Sequence, residues 1–389
     1  RAALFCRDSY NFAVGLFGLL QAGAAVVLPP NGQPGTLNAL SGRFDRLVDD
    51  DLLERLPGQA IDLAPLATDE PSLHFFTSGS SGGAKCVTKT LGMMERELSV
   101  LDSLWPGEVG AVLATVSHQH LYGLTFKIFR PLATGCPFTT EIHELWETLL
   151  AALPPGATVI SSPAHLGRLG GIAPLTKGLW TRRILSAGAP LSAAAAAQAA
   201  SILGCLPTEI FGSTETGVVA TRHQLRGEEP WSLLPGVEMK TDGDGRLSVR
   251  APHIGAGWLL TADRVAAVSK GFRFLGRVDQ VVKVEGKRID LRDVEQALLR
   301  SPLVEAVAVA VLPGDPPRLA AAVVPSREGA ALLARLGAFR FGRLLRQGLA
   351  AFLEPAGRPR LWRFVTVLPV AAMGKRRNAD ILALFGAGI

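Results

Sequence analysis

Hydroxyls, glycines and a lysine crowd one stretch of this chain: Phe76-Thr77-Ser78-Gly79-Ser80-Ser81-Gly82-Gly83-Ala84-Lys85. Glycine lets such a backbone curl. The curl offers N–H and O–H donors, and the lysine adds a mobile positive charge, which together suit a polyphosphate. The stretch is not a Walker loop, which needs GxxxxGK[ST]. Counted from Gly79, Ala84 stands where the second glycine belongs and Cys86 where the metal-binding hydroxyl belongs. Alone, a Ser/Gly-rich segment is more often a connector. Other candidates are Gly212-Ser213-Thr214-Glu215, which joins hydroxyls to a carboxylate, and the acid in Thr261-Ala262-Asp263. Ser117-His118-Gln119-His120-Leu121-Tyr122-Gly123 gathers two histidines and a tyrosine but pairs them with no recognisable Ser or Cys nucleophile. Lys375 follows Gly374 and precedes Arg376 and Arg377, a setting in which a solvated surface lysine is the plain reading.

Elements must hold these residues. Ala111–Val116, Ala157–Ser161, Arg183–Ser186 and Glu209–Phe211 read as strands, and Ser192–Leu203 as an alanine-rich helix capped by Ser192. Strands alternating with helices predict a parallel α/β sheet with ligand loops at the carboxyl ends of its strands. Ser186-Ala187-Gly188-Ala189-Pro190 and Gly212-Ser213-Thr214-Glu215 fall at such ends. From Trp231 to Gly276 the pattern turns to short strands with Gly-rich turns, a small β-subdomain. After Arg277 a separate α+β unit is expected: strand 280–284, helix 291–299, strands 306–312 and 319–324, helix 331–352 and strand 362–368. The apolar run Phe12–Leu28 reads as a buried helix (Phe12–Gln21) and a buried strand (Ala24–Leu28), since it is short for a membrane span and lacks the flanks of a signal peptide.

Composition narrows the class. The chain has 389 residues, 48% hydrophobic and 19% charged, which suits a folded two-domain enzyme rather than a disordered or fibrous chain. The net charge of +6 is scattered and not interleaved with aromatics, so nucleic-acid binding is not expected. Cys6, Cys86, Cys136 and Cys205 form no CxxC pair, which argues against a zinc site or disulfide framework and for a reducing cytoplasm. Because the chain begins at Arg1, a preceding native segment is expected.

The TSGSSGGAK run resembles the phosphate loop of the adenylate-forming superfamily, which includes acyl- and aryl-CoA synthetases, peptide-synthetase adenylation domains and luciferases. The resemblance covers nearly the whole chain. It continues in order through Ser117–Gly123, Ser186–Leu191, Phe211–Glu215, Thr261–Asp263, Gly276-Arg277-Val278-Asp279, Lys283-Val284-Glu285-Gly286-Lys287-Arg288-Ile289 and Gly374-Lys375. It implies an ATP-dependent, AMP-forming ligase that adenylates a carboxylic acid and passes the acyl group to a thiol. The fold implied is a large N-terminal α/β domain with a β-subdomain (1–276), a hinge (277–280) and a small mobile C-terminal α+β domain (281–389).

The roles follow from the same resemblance. Thr77, Ser78, Gly79, Ser80, Ser81, Gly82 and Lys85 would cradle the ATP phosphates. Thr214 would bond the α-phosphate, and Glu215 would help hold Mg²⁺. Phe211, where the family usually has Tyr, would stack on adenine, with Gly188, Ala189, Pro190, Gly212 and Ser213 lining that pocket. Asp263 would accept from the ribose hydroxyls with Arg277 in support, and Lys375 would bridge the attacking carboxylate and the α-phosphate. His120 would gate the acid pocket, with His118 and Tyr122 beside it. Asp279 matches the hinge, with Lys283–Arg288 serving the thioester step.

His-Gln-His-Leu-Tyr-Gly-Leu and the short region before residue 77 are most similar to ligases of bacterial aryl-polyene pigment clusters. That implies an aromatic acid and a thiol on CoA or on the phosphopantetheine of an acyl carrier protein. A fatty acid is the alternative substrate. A non-catalytic nucleotide sensor and a P-loop kinase are the rival classes; retention of Lys375 counts against the first and the broken Walker spacing against the second. The sequence departs from the family where Ala262 replaces a turn glycine and where the arginine after Lys375 is displaced or lost.

Overall fold

The computed structural model describes residues 1–58, 62–78, 84–107, 110–189, 191–226, 229–277, 281–314, 316–369 and 378–386. The chain divides into two compact units. The first is built from Arg1–Pro30, Leu40–Thr77 and Lys85–Val278, and the second holds the chain after Val278 together with Asn31–Ala39.

Two sheets organise the first unit. The smaller has the strand order Arg46–Val48, Ala2–Leu4, Val26–Leu28, Pro71–Ser78, Ala84–Thr90, and its first four strands run parallel. The apolar run near the N-terminus resolves as expected into a helix, Ser9–Gln21, and the strand Val26–Leu28. Asp8 caps that helix by accepting from the Tyr10 and Asn11 amides. Phe12, Leu16 and Leu20 bury its inner face against this sheet.

The larger sheet has ten strands. Its parallel half runs Thr208–Ser213, Arg183–Ser186, Thr158–Ser161, Val112–Ala114, as the alternating pattern predicts. These strands are buried on both faces and read as apolar runs for that reason. The antiparallel strands between Gly217 and Arg277 extend the same sheet edge-on: Gly217–His223, Trp231–Leu233, Gly271–Arg277, Gly255–Val268, Arg246–Ala251, Glu238–Thr241. The alanine-rich helix is Ala193–Leu203, and Ser192 caps it through the Ala195 amide. Leu121–Thr134 is helical throughout, with a π-helical turn at Leu124–Phe129. It touches both cores, with Leu121, Leu124 and Ile128 in the core of the smaller sheet and Phe126 in that of the larger.

The second unit packs helices Leu291–Leu299 and Arg327–Gly348, the latter kinked at Gly337, around the strands Val304–Leu312, Arg318–Pro325 and Leu361–Phe364. The hairpin Val281–Val284/Lys287–Asp290 precedes them. Among the described residues no helix is long and apolar enough to cross a membrane.

Candidate functional site

The parallel half of the large sheet places its loops at one edge. The Ser117–Gly123 motif follows the strand 112–114, the segment 187–191 follows the strand 183–186, and Gly212–Glu215 closes the strand 208–213. This is the edge at which α/β sheets bind ligands.

The turn at Ser213–Gly217 is the most constrained part. Strands 208–213 and 217–223 pair antiparallel, with Gly217 opposite Ser213 and Val218 opposite Gly212. Hydroxyls close it: the Ser213 amide donates to Thr216 Oγ1 at 2.9 Å, and the Thr216 amide to Ser213 Oγ at 3.2 Å. Both flanking glycines are required. A Cβ on Gly212 would stand 2.1 Å from the Gly217 carbonyl oxygen, and Gly217 itself adopts φ +66°.

Two lysines of the strand Ala84–Thr90 reach this turn. Residues four apart on a strand share a face. Lys85 Nζ donates to Glu215 Oε1 at 2.9 Å, and Lys89 Nζ donates to the Glu215 carbonyl oxygen at 2.7 Å. Lys85 is exposed whereas Lys89 is 4% exposed. Burial pulls the Lys89 ammonium below its ordinary range, and Glu97 and Glu215 draw it back up. Glu97, also buried, accepts the Val218 amide at 2.6 Å on Oε1 and the Thr125 hydroxyl at 3.2 Å on Oε2. His253 donates Nε2–H to the Val218 carbonyl at 2.9 Å, which fixes its tautomer.

The neighbouring segments are fastened similarly. Glu209, buried at the start of the strand 208–213, accepts Arg222 Nε at 2.7 Å and the Leu191 amide at 2.7 Å, which ties down the end of the segment 187–191. The Arg222 guanidinium lies 4.3 Å from the Trp231 ring centroid. Phe211 meets Trp231, Phe272 and Phe274 edge-on, with centroids 4.9–5.8 Å apart. Phe274 lies on the strand that carries Arg277, whose backbone register partner is Asp263. Asp263 is buried. Its amide donates to Thr261 Oγ1 at 3.1 Å, and that hydroxyl donates to the Leu247 carbonyl at 2.8 Å. Thr261-Ala262-Asp263 sits within the strand Gly255–Val268, where Ala262 has no left-handed conformation to support. The replaced glycine therefore costs no backbone strain here.

The histidines separate. His120 is exposed, just ahead of the helical segment 121–123. His118, expected beside it, is instead buried against the helix Ser9–Gln21. Its Nε2 donates to the Cys6 carbonyl at 2.9 Å, its Nδ1 is 3.1 Å from Ser9 Oγ, and its ring packs tilted against Phe12 with centroids 4.4 Å apart. Burial pushes its pKa down to about 4, so it is a neutral core histidine. Tyr122 donates to the Ser161 carbonyl at 3.2 Å, at the carboxyl end of a parallel strand. The backbones of Thr77 and Ser78 lie in the strand Pro71–Ser78. Gly79, Ser80, Ser81, Gly82, Pro190, Asp279 and Lys375 lie outside the described residues.

Sequence reasoning named the turn, the two segments beside it and Asp263, and named none of Lys89, Glu97, Glu209, Arg222 and His253. One signal was available. Glu97 falls three residues after Met94 and four before Leu101, on the buried face of the helix Leu91–Leu104.

Comparison with known proteins gives the family. Residues 36–246 match the AMP-binding enzyme family. The 4-coumarate–CoA ligase of Rhodobacter capsulatus is 31% identical over 352 residues, spanning 88% of this chain and 81% of its own. The chain belongs to the AMP-binding enzyme family. Another member, the 4-coumarate–CoA ligase of Cereibacter sphaeroides, is 28% identical, with 83% and 75% covered. The family fold is shared with a malonyl-CoA ligase solved with methylmalonyl-CoA and AMP, at TM-score 0.77, 24% identity, and 95% and 90% coverage. It is shared too with the o-succinylbenzoate CoA synthetase of Bacillus subtilis, at TM-score 0.80, 18% identity, and 97% and 87% coverage. As a member of the AMP-binding family the chain is an ATP-dependent, AMP-forming acid–thiol ligase that works with ATP and Mg²⁺.

The residues fit that metal. Mg²⁺ takes oxygen donors and is usually held by one or two carboxylates together with substrate phosphates, not by an all-protein cage. Glu215, whose carboxylate stands at the turn 2.9 Å from Lys85 Nζ, offers such an oxygen donor. Among the described residues no group of three or more His, Cys, Asp or Glu gathers round a metal position.

Proposed function

We propose that this ligase activates an aromatic carboxylic acid as its acyl-adenylate and passes the acyl group to a phosphopantetheine thiol, on CoA or on a carrier protein, in the cytoplasm. The observation that carries the chemistry is the Ser213–Gly217 turn, where Lys85 meets the Glu215 carboxylate and Lys89 holds the Glu215 main-chain carbonyl. The aromatic acid is supported by likeness to ligases named for 4-coumarate.

A carboxylate and a triphosphate repel each other, so rate must come from positioning and charge neutralisation. Bound Mg²⁺ would offset phosphate charge, with Glu215 as its protein ligand. Thr214 would donate its hydroxyl to the α-phosphate, and Lys85, with the segment Thr77–Gly82, would meet the outer phosphates. Phe211 would pack adenine from its free side, with the segment Gly188–Pro190 and Gly212–Ser213 completing that wall. Asp263, supported by Arg277, would accept from the ribose hydroxyls. His120 would gate the acid pocket. Lys375 would bridge the attacking carboxylate and the α-phosphate, and the C-terminal domain (281–389) would turn about 277–280, at Asp279, between the two half-reactions.

A pyrophosphate-release screen over aryl and fatty acids tests this. Aryl acids should release pyrophosphate and AMP. Adding CoA, free phosphopantetheine or a phosphopantetheinylated carrier protein identifies the thiol source. Release of ADP, or turnover with fatty acids alone, would overturn the reading.

A further inference from the structure

We propose that Lys89 and Glu97 are positioning residues for the ligase reaction: they lock the Ser213–Gly217 turn from inside the unit and so set where Thr214 and Glu215 present their oxygens. The inference rests on the role given above to Glu215. Neither residue belongs to any motif singled out in the sequence.

The argument is one of what is held and by what. Lys89 grips the main-chain carbonyl of Glu215 itself at 2.7 Å. One residue past the turn, both backbone polar groups of Val218 are taken by side chains, the amide by Glu97 at 2.6 Å and the carbonyl by His253 at 2.9 Å. The ladder between the strands 208–213 and 217–223 shifts register immediately after, between Val218 and Ala220. Glu97 is held in turn by the Thr125 hydroxyl, presented by the π-helical turn Leu124–Phe129.

Lys89, Glu97 and His253, from three separate segments, therefore converge on the four residues Glu215–Val218. Bonds to charged groups are shorter and stronger than neutral ones, so the turn cannot relax towards the ligand without breaking them. Lys85, by contrast, holds the Glu215 carboxylate from an exposed side and is free to exchange it for phosphate. The two lysines divide the work: one fixes the residue, the other meets its charge.

The test separates positioning from stability. Lys89→Met alone strands Glu97 as an unbalanced buried charge and should lower the melting temperature. Lys89→Met/Glu97→Gln removes both charges while keeping an acceptor for the Val218 amide, so its melting temperature should return close to wild type. ATP binding is measured by calorimetry in Mg²⁺ and in EDTA, with Glu215→Gln as comparator. The double variant should lose about 10- to 100-fold of the Mg²⁺-dependent tightening, the size expected for a partner that orients a metal ligand, with ATP affinity in EDTA unchanged. Its pyrophosphate exchange should fall in kcat rather than in KM for the acid. If Glu215→Gln loses the Mg²⁺ increment and the stable double variant keeps it, the positioning role is overturned alone. If Glu215→Gln keeps the increment as well, the assignment of Glu215 falls and takes the proposal with it.

Discussion

Two short segments carry the carboxylates proposed to meet ATP, and they are held in opposite ways. The Ser213–Gly217 turn is fastened by charged side chains 121–130 positions away in sequence, namely Lys85, Lys89 and Glu97. Asp263 is fastened by its own surroundings: the hydroxyl two residues back, and through it the carbonyl of Leu247 on the paired strand. The difference matches the two tasks. An oxygen that faces developing charge must not move as the reaction proceeds, and preorganisation there is worth far more than in water. A ribose hydroxyl needs only a good acceptor, and a strand with a local hydroxyl brace supplies one.

The comparison can be broken at three points. Glu97→Ala should have the largest effect, because it strips the buried Val218 amide of its acceptor and removes one of the two carboxylates that offset the Lys89 ammonium. Breaking a buried charged contact of this kind costs about 3–5 kcal/mol, measurable by denaturant unfolding, and pyrophosphate exchange should disappear with it. Asp263→Ala should come next and act on binding, weakening ATP by ~1–3 kcal/mol in calorimetry with a much smaller loss of stability. If it destabilised the fold as much as Glu97→Ala, the contrast between a braced strand and a bolted turn would not stand. Thr261→Val should be smallest. Loss of one local hydroxyl costs about 1 kcal/mol, and KM for ATP should rise only a few-fold. An effect on exchange equal to that of Glu97→Ala would show that the two segments are mechanically one.

The same contrast explains what could be read in advance. Strands 183–186 and 158–161 were legible because burial on both faces writes an unbroken apolar run, and Ser192 because a cap has a local signature. The smaller sheet was mostly illegible. Its strands Ala2–Leu4 and Arg46–Val48 are three residues long, and Ala84–Thr90 carries two lysines and two threonines with little apolar period. At the site, hydroxyl and acidic motifs announce themselves, whereas their supports do not. Lys89 reads as a solvated strand residue until the strand is known to bury it, and Glu97 sits in Met-Met-Glu-Arg-Glu-Leu like any surface acid. His118 failed in the other direction. A histidine inside a recognisable motif looked functional, yet Cys6, Ser9 and Phe12 claim it for the core. Sequence spacing reports groups that act locally. Groups whose partners lie a hundred residues off become visible only in the fold.

That distance has a consequence in time. As the chain is synthesised, Lys89 and Glu97 emerge well before Glu215 and Val218, the groups they will hold. Closing a loop of that length precedes any gain from the contact, so pairings so far apart in sequence form late. Until then the nascent first unit carries an ammonium and a carboxylate meant for its interior without the turn that they hold. The turn proposed as the centre of catalysis is for this reason among the last parts of the unit to be completed, and a chain stalled before residue 208 holds the supports without the turn they were built to carry.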